Sequence, residues 1–178
     1  MTLTITATIQ PGTLGTTLAN QATLAWDTDA DGVNEAAGVS DDPGAPGSTN
    51  TTPITVGPEV LSFYTVTPCR AVDTRTTTAL AAGAQRTIPL AGTCGIPSTA
   101  RAVAVNVTVL DATGAGSLVL WRSGSTVPET SNINFTAGQT RGNNAIVALS
   151  LSGAVDARAS VGGSGTVQML IDVSGYFQ

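Results

Sequence analysis

Short segments in which apolar and polar residues alternate recur along this chain, with turn residues between them. The clearest is ARAVAVNVTVLD (100–111), where Val103, Val105, Val107 and Val109 occupy every second position. A period of two is typical of a half-buried β-strand, because successive side chains of a strand point to opposite faces. No segment has a clear 3.6-residue helical period. The pattern therefore predicts an all-β protein made of antiparallel sheets.

The spacing of these segments divides the chain into two parts. Residues 1–56 hold a few strand segments and the Pro/Gly/Ser-rich stretch DDPGAPGSTNTTP (41–53), which is typical of a loop or linker. Residues 60–178 hold strand segments at regular spacing, separated by turn sequences such as GAG and GGSG. We therefore expect an antiparallel β-sandwich of the jelly-roll kind over 60–178, preceded by a small, incomplete β unit over 1–56.

The predicted strands follow from the alternation and the turn residues. In the first part they are 2–9, 20–26, 36–40 and 54–56. In the second part they are 61–66, 69–74, 86–90, 100–111, 116–121, 131–135, 145–151, 154–160 and 167–177.

The first predicted strand, TLTITATI (2–9), alternates without a break. Its apolar face would consist of Leu3, Ile5, Ala7 and Ile9. The few strands of the first part cannot close a two-sheet core by themselves. We therefore expect this strand to add to an identical subunit, which would cover the apolar face and complete its hydrogen bonds.

The composition argues against several kinds of function. The chain has no histidine and all seven basic residues are arginine, so Ser-His-Asp catalysis and Schiff-base lysine chemistry are excluded. A net charge of −5 with singly scattered arginines differs from the basic patch of a nucleic-acid-binding protein. No apolar run is long enough to span a membrane. We expect no enzymatic activity, no nucleic-acid partner and no membrane insertion.

The stretch DTDADGVNE (27–35) carries acidic residues at alternate positions. It matches the first nine positions of an EF-hand or dockerin-type Ca²⁺ loop, with glycine at the sixth position. The ligands would be Asp27, Asp29, Asp31, the carbonyl of Val33, and Glu35. The twelfth position is Gly38, so Asp41, Asp42 or water would have to complete the shell. The other interpretation is a solvated hairpin turn, where Asp and Gly are common.

The chain has two cysteines, Cys69 and Cys94. They are either two buried thiols of a cytosolic protein or one disulfide of a secreted protein. The Thr-, Ser- and Gly-rich composition without lysine favours the second interpretation. We therefore expect a secreted or cell-surface location, with a signal peptide that has been removed or lies outside this sequence.

Other side chains have a structural and a functional interpretation. Asp73 and Arg75 would form either a salt bridge within a strand or part of a ligand groove. The polar stretch QTRGNNA (139–145) would bind either backbone groups or a sugar. Trp121 would stack on a glycan if it is exposed and would pack in the core if it is buried.

Four segments occur in order over most of 61–177. They are VTPCRAVDTR (66–75), CGIPSTARAVAVNVTV (94–109), SNINFTAGQTRGNNAIVAL (131–149) and LIDVSGYF (170–177). Together they resemble a C-terminal accessory β-sandwich domain of large secreted bacterial surface proteins. The resemblance implies that Cys69 pairs with Cys94, that no catalytic residues are present, and that the domain serves surface display or binding.

Three segments of the first part, TLTITATIQPGT (2–13), NQATLAWDTDADG (20–32) and SDDP (40–43), also form a pattern. They resemble the C-terminal half of an immunoglobulin-like repeat of bacterial surface proteins.

Two functions are compatible with the sequence as a whole. One is a structural subunit of an extracellular fibre, pilus-like filament or stalk, which self-associates through its N-terminal strand. The alternative is a carbohydrate-binding or adhesive accessory module with a glycan or cell-surface ligand.

Overall fold

The computed structural model describes residues 16–42, 44–57 and 60–178. These residues form thirteen β-strands and one short 3-10 turn, and they contain no α-helix. They fall into two compact units, one ending at Val60 and the other beginning at Leu61. None of the described segments forms a helix that is long and apolar enough to cross a membrane. The predicted all-β class is confirmed.

The described part of the first unit forms two antiparallel ribbons. Its strands are β1 (Thr17–Asn20), β2 (Thr23–Trp26), β3 (Ala36–Val39) and β4 (Thr52–Thr55). β1 pairs with β4, and β2 pairs with β3. The prediction of one strand over 20–26 was wrong, because the chain leaves β1 at Asn20 and starts a new ribbon at Thr23. The predicted strand 2–9, with Leu3, Ile5, Ala7 and Ile9, lies outside the described residues.

The second unit is a β-sandwich. Its strands are β5 (Phe63–Asp73), β6 (Leu80–Ala81), β7 (Gln85–Pro89), β8 (Ala102–Leu110), β9 (Gly116–Arg122), β10 (Ile133–Phe135), β11 (Arg141–Ala148), β12 (Ala154–Val161) and β13 (Thr166–Phe177). One sheet has the order β10-β9-β12-β7 and the other β11-β8-β13-β5, with β6 pairing to the start of β13. All of these pairs are antiparallel.

The core lies between these two sheets. On β8 and β13, every second side chain faces inward; the buried set is Val103, Val105, Val107, Val109, Val167, Met169, Ile171 and Val173. They form one cluster with residues of the facing sheet, among them Leu118, Val155 and Ala157. Full burial of each large side chain contributes about 1.5–3 kcal/mol. The alternation read from the sequence therefore assigns the core face correctly.

One side of the sandwich, where β5 and β7 are the edge strands, is closed by a disulfide. Cys69 lies in β5 and bonds to Cys94, which lies in the loop after β7. The two strands predicted over 61–66 and 69–74 are the single strand β5, which stays paired with β13 across two register shifts. Pro68 lies between Cys69 and Thr65, where the pairing with β13 shifts register, and a bulge on an edge strand tolerates a residue without an N–H.

The opposite side, where β10 and β11 are the edge strands, is closed by side-chain hydrogen bonds to backbone carbonyls. The amide of Asn143 donates to the carbonyl of Asn132 at 2.6 Å, and the guanidinium of Arg141 donates to that of Asn134 at 3.2 Å. We call these two bonds the edge clasp. They occupy carbonyls at the sheet edge that could otherwise pair with a strand of another molecule. β11 begins at Arg141 because it pairs with β8 from that residue on, and it ends at Ala148, so the predicted strand 145–151 started four residues late and ended three residues late.

Removing the disulfide should destabilise the second unit. The cysteines are 25 residues apart, so in the chain-entropy model the cross-link stabilises by about 3–4 kcal/mol. We expect Cys69→Ser with Cys94→Ser to lower the free energy of unfolding by about that amount in urea titrations. Wild-type protein treated with a reductant should match the double variant. An unchanged urea midpoint in both samples would contradict a stabilising role of the disulfide.

Candidate metal site

The acidic stretch 27–35 is the loop of the β2–β3 hairpin. Trp26 is paired with Ala36 at the end of the ribbon, so Asp27 directly follows β2 and Glu35 directly precedes β3. This antiparallel pairing brings the two ends of the loop together. It explains why residues eight positions apart in sequence can share one site.

Asp27 shapes the first half of the loop. One of its carboxylate oxygens accepts from the backbone N–H of Asp29 at 3.1 Å and of Ala30 at 2.6 Å. The other oxygen accepts from the N–H of Gly32 at 2.8 Å. Gly32 has φ +93°, a left-handed conformation that glycine adopts without a steric penalty. The glycine at the sixth position therefore serves the sharp bend that the motif requires.

The remaining acidic residues continue the same turn chemistry. Asp29 accepts from the N–H of Asp31 at 3.2 Å, and Asp31 accepts from the N–H of Val33 at 2.8 Å. Glu35 closes the loop by accepting from the N–H of Thr28 at 2.9 Å and from its hydroxyl at 3.1 Å. Asp side chains that bind backbone two residues ahead are typical of tight turns.

The four carboxylates converge. Asp27, Asp29, Asp31 and Glu35 each offer one oxygen, and these oxygens all lie within 4.8 Å of one another. Hard oxygen ligands at such separations can share one cation. This cluster could therefore bind a metal ion. The structure brings together the carboxylate ligands that the spacing predicted.

Two of these carboxyl groups have lowered pKa values. The N–H of Gly32 makes the largest contribution to lowering the pKa of Asp27, and those of Ala30, Asp29 and Asp31 add to it. The N–H of Thr28 makes the largest contribution for Glu35. Both groups are therefore ionised at neutral pH, which is the form that coordinates a cation.

The other ligands suggested for the site differ in their availability. The N–H of Val33 donates to Asp31, and its carbonyl accepts no hydrogen bond among the described residues, so it is available to a cation. Asp41 accepts from the N–H of Asn50 at 2.9 Å, and Asp42 accepts from that of Gly44 at 2.9 Å. These two residues hold the 41–50 loop and do not belong to the converging set.

Asp73 and Arg75 form a salt bridge within a larger charged group on the second unit. The guanidinium of Arg75 contacts the Asp73 carboxylate at 2.9 and 2.6 Å, and Arg70 contacts Asp172 at 2.7 and 2.9 Å. Asp73 also caps the 3-10 turn (Thr74–Thr76) that follows β5. The groove interpretation is therefore not needed to explain these side chains, because each charge has a partner.

Trp121 is not available as a glycan contact. Its side chain is 6% exposed, and its indole N–H donates to the carbonyl of Ser125 at 3.0 Å. A buried ring cannot stack on a sugar, so the glycan interpretation of this residue was wrong. Trp26 is exposed, and its ring lies against Gly38 of the neighbouring strand.

A buried carboxylate on β12, Asp156, is a feature that the sequence patterns did not reveal. Its oxygens accept from the Thr87 hydroxyl at 2.6 Å, the Gln85 amide at 2.9 Å and the Gly124 N–H at 3.2 Å. Burial alone would raise the pKa of Asp156, but hydrogen bonds from Thr87, Gly124, Ser123 and Gln85 outweigh burial and lower it. The carboxylate links β12 to β7 and to the turn after β9.

The salt bridge at Asp73 should make the second unit sensitive to acid. Hydrogen bonding to Arg75, with a smaller charge effect of Arg70, lowers the pKa of Asp73 to about 2. A carboxyl group whose pKa is lower in the folded state stabilises above its unfolded pKa and loses this effect as the pH falls. Between pH 4 and 2, roughly, wild-type protein should lose more unfolding free energy than Asp73→Asn in urea titrations. The exposed Glu129→Gln is the control and should follow the wild type; an Asp73→Asn profile identical to the wild type would contradict the assignment.

Comparisons with known proteins give no relative whose site could be compared with this one. No protein-family model, no curated protein and no solved structure matches the chain. The resemblances of the segments in 2–43 and 61–177 therefore remain predictions.

Proposed function

We propose that this protein is a structural subunit of an extracellular bacterial surface assembly, such as a fibre, pilus-like filament or stalk. The observation that carries the proposal is that the described residues of the first unit bury almost no apolar side chains. Among its described residues, only Val56 is buried. Large apolar side chains are exposed instead; they are Leu24, Trp26, Val33, Val39, Ile54 and Val60. A β unit with this surface gains stability from a partner that covers it.

The ribbons of the first unit also leave backbone groups for a partner. Among the described residues each of these strands pairs on one side only, and an isolated two-stranded ribbon is marginally stable in water. An added strand would pair with such an edge and cover the apolar side chains at the same time. The segment 2–9, with its apolar face of Leu3, Ile5, Ala7 and Ile9, has the alternation that this role requires.

A strand donated from one copy to the next gives a head-to-tail contact. Such a contact does not close on itself unless the rotation between copies happens to form a ring, so it propagates as a filament. The second unit suits a subunit of this kind, because its core is closed and its two sides are held by the disulfide and the edge clasp. A disulfide is also typical of proteins outside the reducing cytosol.

We infer that the cation of the acidic cluster is Ca²⁺. The ligands are all oxygens on an exposed loop, and Ca²⁺ takes 6–8 oxygen ligands in adaptable geometry. The four carboxylates with the Val33 carbonyl and water would supply that number. A shell without the bidentate acid at the twelfth position suggests weak binding, with a Kd on the order of 10⁻⁴–10⁻³ M. The cation would stiffen the β2–β3 hairpin beside the subunit junction.

The assembly proposal predicts that deleting residues 1–10 abolishes assembly and leaves the second unit folded. Wild-type protein should form large species in multi-angle light scattering and filaments in negative-stain electron microscopy, and the deletion variant should stay monomeric. The urea midpoint of the second unit should be unchanged by the deletion, since its core lies within 61–178. Filaments formed by the deletion variant would overturn the strand-donation step.

The Ca²⁺ proposal predicts that millimolar Ca²⁺ shifts the backbone amide resonances of the acidic loop and that a chelator reverses the shift. Asp31→Asn should weaken binding, because it removes one charge but keeps an oxygen for the Val33 N–H. Asp111→Asn makes the same charge change in the second unit and should bind like the wild type. Equal Ca²⁺ affinity of the two variants would contradict a site in the loop.

A further inference from the structure

The outer face of the β11-β8-β13-β5 sheet carries side chains in ordered rows. Because the strands are in register, residues from four different parts of the sequence lie side by side. One row is Asn144, Asn106, Asp172 and Arg70. We call it the polar row. It runs across four strands, a span of about 14 Å at the usual strand spacing.

The groups of the polar row are planar and bind one another. The Asn106 amide donates to the Asn144 side-chain oxygen at 3.0 Å. The guanidinium of Arg70 donates two hydrogen bonds to the carboxylate of Asp172. This network fixes the orientation of each group. Asn144 is exposed, and its amide N–H₂ makes no hydrogen bond among those of the described residues. The row therefore presents fixed donors and acceptors to solvent.

The next two rows are mostly apolar. The first consists of Ile146, Ala104 and Gly175 and ends at the exposed Thr65 on β5, and the second consists of Ala148, Ala102, Phe177 and Phe63. Ile146 is 69% exposed and Phe63 is 49% exposed. On β11 and β8 the first of these rows is two residues from the polar row, a distance of about 7 Å, whereas on β13 and β5 a register shift lies between the two rows. We call these two rows the apolar floor.

The ring of Phe63 is held over the apolar floor. A Cβ added to Gly175 would lie 2.5 Å from two ring carbons of Phe63, so the ring covers this glycine directly. Phe177 supports it from the adjacent strand, with ring centroids 4.9 Å apart. One side of the Phe63 ring is thus packed while much of the side chain remains exposed. An aromatic ring fixed in this way loses little entropy when a ligand stacks on it.

We propose that the polar row and the apolar floor form a binding face for a neutral polysaccharide. A sugar ring has an apolar C–H face, which suits Phe63 and the alanines, and a rim of hydroxyls that both donate and accept. The amides and the paired guanidinium and carboxylate of the polar row offer donors and acceptors side by side. A sugar unit over Ile146 and Ala104, the part of the floor next to the polar row, would direct its hydroxyls to this row.

The charges of the face favour a neutral ligand over an anionic one. Arg70 and Arg75 are each paired with an aspartate, Asp172 and Asp73, so the local charge sums to zero. An anionic polymer or an anionic membrane would need unpaired cations. The length of the row, across four strands of one sheet face, suits an extended chain more than a small molecule, which prefers a concave pocket.

The test measures binding of the full chain to insoluble cellulose, chitin and β-1,3-glucan in pull-down assays, with polygalacturonate as the anionic comparison. We expect wild-type protein to bind at least one neutral polymer. Asn144→Ala should weaken that binding about tenfold through the loss of hydrogen bonds. Ala104→Glu, which places a charged side chain on the apolar floor, should weaken it at least as much.

The control is Asn134→Ala, an exposed position on the edge strand β10 of the other sheet, which should bind like the wild type. Each variant is first shown to keep the wild-type urea midpoint. No binding of the wild type to any neutral polymer would overturn the proposal. So would binding unaffected by both face variants, preference for polygalacturonate, or a face that instead forms a dimer dissociated by Ala104→Glu.

Discussion

The sandwich depends on the burial of one face of its two central strands, β8 and β13. These strands pair with each other along most of their length, and their valine-rich inner faces meet the sheet that contains β9 and β12. Once the inner face is chosen, strand geometry assigns every intervening residue to the outer face. The core therefore also decides where the exposed polar and aromatic residues lie, including those of the polar row and the apolar floor.

A two-layer sandwich has two open sides, and this protein closes each one by a different means. Cys69 and Cys94 join edge strand β5 to the loop after β7 by a covalent bond. On the opposite side, Asn143 and Arg141 cover carbonyls of the β10 segment with hydrogen bonds. Both devices oppose strand addition at the sandwich. Strand exchange between copies would then be directed to the first unit, whose ribbons lack comparable protection among the described residues.

The two units thus combine different physical properties. The second unit buries its apolar side chains, whereas the first exposes most of those that the structure describes. The acidic hairpin of the first unit brings four carboxylates close together. They repel one another unless a cation or the backbone N–H groups offset their charge. In the assembly proposed above, the second unit would be the stable module, and the first unit would be completed by a neighbouring copy.

Features that depend on residues near each other in the chain were predictable from the sequence. The strand alternation of 100–111 and 167–177 and the turn chemistry of 27–35 are local, since period two and Asx turns act within a few residues.

Contacts between residues far apart in the chain could be seen only in the fold. Pairing with β8 makes residues 141–145 strand rather than loop. Trp121 is buried and bonds to the turn after β9, and Asp156 finds partners about 30–70 residues away. Likewise, Arg70 and Asp172 are 102 residues apart and meet only because β5 and β13 pair in one register. The sequence by itself determined which faces are apolar and where carboxylates cluster; the tertiary structure alone decided which distant side chains share a surface, because strand register is set by packing of the whole sheet.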